Sequence, residues 1–194
     1  RNYFARIEVA LRPDLNEQFI QTLAEDENDD VRRAIASHPS LNENLIEKLL
    51  KDENDGVRYE IAFRSDLNDE VIKTLAKDKD KYIRCEVACK PIISDELIQK
   101  LAKDEDDDVR YNIACRQNLN MELINQLAED ENESVRCAIA RRQDLNNDVI
   151  HKLAEDESYL VRWEIDCRKV LSSDPTQELA KDKDPDVIQV VADK

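Results

Sequence analysis

The five cysteines are the residues of this sequence with the most recognisable chemistry: Cys85, Cys89, Cys115, Cys137 and Cys167. Cys85 and Cys89 are four residues apart, which would place two thiolates on one helix face, where they could chelate a metal. Helices pack about 10 Å apart, too far for cysteines of neighbouring helices to share an ion or a disulfide without rearrangement. Cysteine is also simply a small apolar residue. We therefore assign no metal and no cofactor, and keep metal or redox sensing as an alternative function.

Aspartates and arginines recur together every 26 residues. The aspartates are Asp26, Asp52, Asp78, Asp104, Asp130 and Asp156, and the arginines that follow six residues later are Arg32, Arg58, Arg84, Arg110, Arg136 and Arg162. A guanidinium pairs with a carboxylate through two hydrogen bonds. The matched sets predict a structural ladder of ion pairs, within or between repeats. A row of arginines that binds phosphates or carboxylates is the alternative.

A second basic set, also 26 residues apart, consists of Arg12, His38, Arg64, Lys90, Arg116, Arg142 and Arg168. Each residue ends a predicted helix, where a cation complements the helix dipole. One interpretation is solvation of helix ends with exposed ion pairs. The other is a positive strip that docks an acidic partner, which Arg64, Arg116, Arg142 and Arg168 would steer.

Large apolar side chains share the positions of the cysteines. They are Tyr59, Phe63, Tyr111 and Trp163. These positions lie about 200–240° around the helix from the apolar core stripe, where polar residues are usual. Exposed aromatic residues commonly anchor partners, so we predict a partner-binding stripe. The alternative is that tight curvature buries these residues against neighbouring repeats.

Composition argues against several classes of function. The chain has 194 residues and a formal net charge of −16, which disfavours nucleic acid and anionic membranes as partners. Gly56 is the single glycine, and the sequence has no phosphate-binding loop and no Ser–His or Cys–His arrangement. We expect a non-enzymatic protein that binds a protein or peptide. An odd number of cysteines and no secretory or membrane-spanning pattern predict a cytoplasmic location.

All of these sets reflect one 26-residue repeat that must position the side chains. The predicted repeats are 15–40, 41–66, 67–92, 93–118, 119–144, 145–170 and 171–194, after a partial repeat over 1–14. We interpret 1–194 as one repeat domain. Counting from Leu15 as position 1, Asn or Ser at position 2 predicts a helix N-cap. A first helix should span positions 3–11, for example Glu43 to Lys51, and bury positions 5, 6 and 9.

The second helix of each repeat should span positions 15–23, after a cap at position 14, and bury positions 17, 21 and 22. Helices this short are marginal alone because nucleation is costly, so successive repeats must stack. The sequence therefore predicts an all-α solenoid of two-helix repeats.

The pattern L-N-x-x-L-I-x-x-L-A-x-D-x-x-x-x-V-R-x-x-I-A resembles the leucine-rich repeat variant family and, more widely, HEAT-like repeats. It is seen in Leu119 to Ala140 and, with Leu50 at one alanine position, in Leu41 to Ala62. The resemblance implies a right-handed superhelix whose second helices line a groove, and whose shorter helix sometimes tightens to a 3₁₀ form. It implies no particular partner. One branch carries an iron–sulfur cluster in a separate cysteine-rich segment, which the cysteines here do not match.

The last repeat departs from the pattern, with Pro175 and Thr176 at positions 5 and 6. A degraded terminal repeat would serve as a cap.

The leading hypothesis is a non-catalytic scaffold that binds a protein or peptide on the exposed face of the second helices. Resemblance to HEAT-like DNA glycosylases keeps nucleic-acid binding as a further alternative.

Overall fold

The structure, a computed structural model, describes residues 2–167. Thirteen α-helices and no strand are present in this range. They are α1 (Tyr3–Ala10), α2 (Glu17–Leu23), α3 (Asp29–Ala36), α4 (Glu43–Leu49), α5 (Asp55–Phe63), α6 (Asp69–Leu75), α7 (Lys81–Cys89), α8 (Asp95–Leu101), α9 (Asp107–Ala114), α10 (Met121–Leu127), α11 (Glu133–Ala140), α12 (Asn147–Ala154) and α13 (Tyr159–Asp166). Even-numbered helices are the first helices of the repeats and odd-numbered helices are the second helices. The predicted repeat 171–194, with Pro175 and Thr176, lies outside the described residues.

The first helices begin at the predicted asparagines. The Oδ1 atoms of Asn16, Asn42, Asn68, Asn120 and Asn146 each accept a hydrogen bond from the main-chain N–H three residues later, at 2.9–3.0 Å. Each bond satisfies a donor that the first helical turn leaves without a partner. The cap explains why a helix of only seven or eight residues starts at this position.

The first helices end earlier than predicted. The predicted end of α4 at Lys51 is wrong by two residues, since the helix ends at Leu49. The N–H groups of Lys51 and Asp52 donate to the carbonyls three residues before them, at 3.1 Å. This tighter bonding closes the helix and turns the chain toward the second helix.

The second helices also begin at side-chain caps. Asn28, Asn54, Asp80, Asp106 and Asn132 accept main-chain N–H bonds at the predicted position 14. Ser158 is the exception, because it makes no side-chain cap bond and its hydroxyl instead donates to Glu133 Oε2 at 2.8 Å. Helices α5 and α7 span the nine predicted positions, and the other described second helices within complete repeats end one residue earlier.

The core is built from the same positions in the described repeats, except that the predicted burial of position 5 is wrong for Phe19, which is 57% exposed. In the repeat 41–66, Leu45, Ile46 and Leu49 of the first helix are buried against Val57 and Ile61 of the second. Burying a side chain of this size contributes roughly 1.5–3 kcal/mol. A single short helix has only one such stripe, so the repeats are stable only when stacked.

Contacts divide the chain into two compact units, Arg1–Leu97 and Ile98–Lys194, with the division inside α8. Within the first unit, α3 packs on α5 and α5 packs on α7. Within the second unit, α9 packs on α11 and α11 packs on α13. Direct packing between second helices brings their outward side chains into continuous rows. The described part of the chain contains no helix that could cross a membrane.

Candidate docking face on the second helices

The Asp–Arg sets pair between successive repeats. Arg58 in α5 donates through Nε and Nη2 to both carboxylate oxygens of Asp78 in the next repeat, at 2.7 and 2.9 Å. Its Nη1 donates to the main-chain oxygen of Asp52 in its own repeat, at 2.8 Å. The same two-point bond to the next repeat joins Arg6 to Asp26, Arg32 to Asp52, Arg110 to Asp130 and Arg136 to Asp156. Each guanidinium therefore lies between the loops of two repeats.

The two remaining arginines of the set, like Arg58, donate through Nη1 to a main-chain oxygen of their own repeat. Arg84 Nη1 donates to Asp78 O at 2.9 Å, and Arg162 Nη1 donates to Asp156 O at 2.7 Å. Asp104 accepts the N–H of Asp106 at 3.0 Å, as the equivalent aspartates do in other repeats. These bonds organise the loop between the two helices of each repeat.

The ladder lowers the pKa of the carboxylates of Asp52 and Asp78. Burial alone raises the pKa of Asp52, but the hydrogen bonds from Arg32 and from the Asn54 N–H outweigh burial, and the pKa is lowered. Burial likewise raises the pKa of Asp78, but the hydrogen bonds from Arg58 and from the Asp80 N–H, with the charge of Arg58, together outweigh burial and lower the pKa. Only 6% of the Arg58 side chain is exposed. The ion pairs thus hold successive repeats together, and their side chains are too buried to contact a partner.

The second basic set forms another ladder rather than an open positive strip. Arg64 Nη1 donates to His38 O at 2.8 Å, and Lys90 Nζ donates to Arg64 O at 2.7 Å. Arg142 Nη1 donates to Ala114 O at 3.1 Å and also to Arg116 O. Each of these side chains binds a carbonyl at, or within two residues after, the end of the second helix of the preceding repeat.

These bonds change the interpretation of the predicted steering residues. Only 7% of each of the Arg64 and Arg142 side chains is exposed, and Asp66 and Asp144 pair with them. We therefore remove Arg64 and Arg142 from the docking face, because their guanidiniums are buried in main-chain and carboxylate contacts. Arg116 is half-buried, and Arg168 lies outside the described residues. An aspartate two residues after the arginine was the sequence signal for this ladder.

The aromatic stripe remains at the surface. The exposed fractions of Tyr59, Phe63 and Trp163 are 37%, 67% and 40%, and Tyr111 is half-buried. Cys115 raises the pKa of the Tyr111 hydroxyl by charge and hydrogen bonding, with burial adding to the shift. The stripe is therefore separate from the core that stabilises each repeat.

The five cysteines differ in their exposure to solvent. Cys89, Cys115 and Cys167 are exposed and Cys85 is half-buried, whereas Cys137 is buried. Burial, followed by the charge of Glu164, raises the pKa of the Cys137 thiol. All five are thiols, and no disulfide forms within residues 2–167.

A pocket of about 500 Å³ opens on the second helices of the second unit. Tyr111 from α9, Cys137 from α11, and Leu160 and Trp163 from α13 supply its apolar wall. The charged residues that line it are Asp107, Asp108, Glu133, Glu164 and Arg141. Two of the predicted anchors, Tyr111 and Trp163, thus meet in one pocket.

Arg141, the one cationic residue among the described residues that line this pocket, pairs with a carboxylate. Arg141 Nε donates to Glu164 Oε1 at 2.8 Å, which joins α11 to α13. This bond raises the pKa of Arg141, despite the opposing effect of burial. Asp107 and Glu133 also line the pocket and add negative charge to it.

The first unit carries an equivalent pocket of about 340 Å³. Tyr59 and Tyr82 line it with Arg33 and three carboxylates, those of Asp55, Glu60 and Asp80. Gly56 also lines it, and a Cβ at this position would come within 3.4 Å of Arg33 Cδ and 3.0 Å of Asn54 Oδ1. The pocket occupies the same repeat positions as the one in the second unit. Phe63, the fourth predicted anchor, does not line it.

The polar residues of these pockets and two of the apolar ones were not among the predicted partner-binding residues. Most of them stand at positions 14, 15, 16 and 20, and they include Asp107, Asp108, Glu133, Leu160 and Tyr82. Tyr82 and Leu160 occupy position 16, which is Asp, Gly or Ser in the other described complete repeats. A large apolar residue at that outward position was the available signal.

One group of carboxylates could contact a cation. The carboxylate oxygens of Asp106, Asp107 and Asp108 lie within 4.8 Å of one another. Acids are also favoured in the first turn of a helix by its dipole, and Asp106 caps α9 by accepting the N–H of Asp108 at 3.0 Å. We assign no metal site to this group.

Comparisons with known proteins support the repeat architecture. The structure is similar to a leucine-rich repeat variant with a novel repetitive structural motif, with a TM-score of 0.78 and 26% identity over 97% of this chain and 80% of that chain. It is also similar in fold to YibA of Escherichia coli, with a TM-score of 0.52 and 18% identity over 100% of this chain and 96% of that chain. No protein-family model matches the sequence, and a sequence search of curated proteins gives no match. The fold is a helical repeat solenoid of the leucine-rich repeat variant and HEAT-like type.

Proposed function

We propose that this chain is a non-catalytic scaffold that binds a protein or peptide along the exposed face of its second helices. One observation carries the proposal. Each compact unit places a pocket at the same repeat positions, walled by tyrosine, or by tyrosine and tryptophan, side chains that the core does not use. Surface aromatic residues in a concave site are typical anchors for a partner. Repeat scaffolds of this kind usually bind partners rather than catalyse reactions.

Nucleic-acid binding receives less support. A nucleic-acid surface presents arginine and lysine side chains to phosphates. Here Arg64 and Arg142 bind main-chain carbonyls, and both pockets contain more carboxylates than cations. These charges would repel a phosphate backbone.

Metal or redox sensing through the cysteines also receives less support. A metal site needs several ligands within a few ångströms of one ion. Within residues 2–167, the group of potential ligands that meets this requirement consists of carboxylates and includes no cysteine. Of the two helix-sharing cysteines, Cys85 is half-buried while Cys89 is exposed.

Affinity capture with two matched variants tests the scaffold proposal. The first variant carries Tyr59→Ala, Tyr111→Ala and Trp163→Ala in the two pockets. The second carries Phe19→Ala, Ile92→Ala and Met121→Ala, three exposed apolar residues outside them. Circular dichroism should show unchanged helicity in both variants, because none of the six side chains is buried.

We expect quantitative mass spectrometry to show proteins that the wild type and the second variant retain and the first variant loses. If the first variant keeps its helicity and retains the same proteins as the wild type, the second-helix face is not the docking surface. In that case the proposal is wrong.

A further inference from the structure

We infer that the pocket of the second unit accepts an arginine side chain from a basic segment of a partner. The inference rests on the proposed function and adds the chemical class of the ligand. It is drawn from a cavity that combines aromatic walls with carboxylates: Asp107 and Glu133 line it beside the ion pair of Glu164 with Arg141.

Two carboxylates of this pocket, those of Asp107 and Glu133, accept hydrogen bonds from neutral groups. Arg141 is matched by Glu164. Asp107 accepts a hydrogen bond from the amide of Asn132, and Glu133 accepts one from the hydroxyl of Ser158. Neutral donors orient these two carboxylates and leave their charge in place. A cationic group that enters the pocket would therefore be attracted to both.

The apolar wall selects the kind of cation. Trp163 and Tyr111 present aromatic rings, which attract a cation through the ring quadrupole, and tryptophan does so most strongly. Leu160 and Cys137 supply contact for an aliphatic stem. A guanidinium is planar, stacks on aromatic rings and binds carboxylates through two hydrogen bonds, whereas an ammonium group does not stack. Arginine therefore fits this wall better than lysine.

The pocket volume fits a segment of a peptide rather than a lone ion. Sites that hold drug-sized ligands or peptide anchors measure roughly 300–1,000 Å³, and this pocket of about 500 Å³ falls in that range. The formal charge of −16 on the chain would also attract a basic segment from a distance and speed its association.

The first unit contains an internal example of the same contact. Lys81 Nζ lies 5.5 Å from the ring centroid of Tyr82, which lines the equivalent pocket. A cation thus already lies over an aromatic ring at this repeat position. The pocket of the second unit has Leu160 at the position of Tyr82, and its aromatic rings, Tyr111 and Trp163, stand at position 19, as Tyr59 does in the first unit.

Trp163 is the only tryptophan of the chain, so its fluorescence reports on this pocket directly. The probe is a tetra-arginine peptide with blocked ends, titrated into the full chain at low salt. We expect a saturable change in emission that weakens at higher ionic strength, because exposed charges are screened. Tetra-lysine should bind more weakly, and tetra-glutamate should not bind.

Two charge-matched variants separate the pocket from the general charge of the chain. The pocket variant carries Asp107→Asn, Asp108→Asn and Glu133→Gln. The control variant carries Glu122→Gln, Asp148→Asn and Glu155→Gln, three exposed acids of the same unit outside the pocket. We expect the pocket variant to bind tetra-arginine at least about tenfold more weakly than wild type, a change of about 1.4 kcal/mol. The control variant should stay within about twofold of wild type, a difference well below that step.

Several outcomes would overturn the inference: no saturable change with tetra-arginine, equal weakening in both variants, or equal binding of tetra-lysine. Spermine, which carries charge without a guanidinium, should bind more weakly than tetra-arginine, and equal binding would also overturn the inference. The affinity-capture experiment distinguishes this failure from failure of the scaffold proposal. If tetra-arginine does not bind but the pocket-aromatic variant still loses partners, the scaffold stands and the basic ligand is wrong. If neither effect is seen, both proposals are wrong.

Discussion

Arg58 and Asp78 form a two-point ion pair between successive repeats, with N···O distances of 2.7 and 2.9 Å. The two residues are 20 positions apart, and the same separation joins the equivalent pairs in other repeats. The separation stays constant because the repeat contains neither insertions nor deletions. A repeat of another length would move the aspartate away from the arginine, so this ion pair between repeats requires a constant repeat length.

Truncation of Arg58 should destabilise the stack strongly. Arg58→Ala leaves the carboxylate of Asp78 without its main cationic partner, although only 10% of the Asp78 side chain is exposed. We expect a loss of about 3–5 kcal/mol in the free energy of unfolding, measured by urea denaturation. Asp78→Ala should show a similar loss, and the double variant should lose much less than the sum.

The matched control for this prediction is Lys48→Ala. Lys48 pairs with Glu25 in the preceding repeat, but about half of each side chain is exposed. We expect a loss of about 1 kcal/mol or less. Equal losses at Arg58 and Lys48 would show that burial does not strengthen the Asp–Arg ladder.

The contribution of Asp78 should disappear in acid. Its pKa is lowered in the folded chain, so its carboxylate stabilises the fold above the unfolded pKa, about 3.9. This stability is lost as the pH falls through the lowered folded pKa. The difference in unfolding free energy between wild type and Asp78→Asn should therefore be full at pH 6 and shrink below about pH 4. A difference that stays constant down to pH 2 would contradict the lowered pKa.

His38 should be replaceable by the arginine that other repeats use at the same position. His38 Nε2 donates to Arg12 O at 2.9 Å, while Nδ1 accepts the Ser40 N–H at 3.1 Å. His38→Ala removes both bonds from a buried site and should cost about 1–3 kcal/mol in unfolding free energy.

The double variant His38→Arg, Ser40→Asp copies the pair formed by Arg64 and Asp66, whose bonds measure 2.7–2.9 Å. We expect its unfolding free energy to lie within about 1 kcal/mol of wild type, the range of a tolerated substitution. If it is as unstable as His38→Ala, the second basic set does not act as an interchangeable ladder.

Cys137 should react slowly with alkylating reagents. The thiolate is the reactive form, and burial raises the pKa of Cys137. Cys89 is exposed. With iodoacetamide at pH 8, mass spectrometry should find Cys137 modified more slowly than Cys89, because a raised pKa lowers the fraction of thiolate and burial hinders access. Equal rates would show that the pocket wall opens readily around Cys137.

The sequence by itself determined the repeat, the two helices of each unit and most of their caps. These features depend on residues within about four positions of one another, such as Asn42 and the N–H of Leu45. The apolar columns also predicted most of the core, because helical periodicity decides which residues share a face; Phe19, at a predicted core position, is exposed. Ser158 differs because its hydroxyl bonds Glu133 of the preceding repeat, and α4 ends early because main-chain bonds over three residues close its last turn.

Only the tertiary structure decided which side chains a neighbouring repeat covers. The sequence pattern predicted that Arg64 and Trp163 both face a partner. Arg64 is instead buried against a carbonyl of the preceding repeat, whereas Trp163 remains 40% exposed. The acidic pockets likewise arise where three successive second helices meet. The physical reason is that burial depends on the distance between stacked helices, which the periodicity of one repeat does not determine.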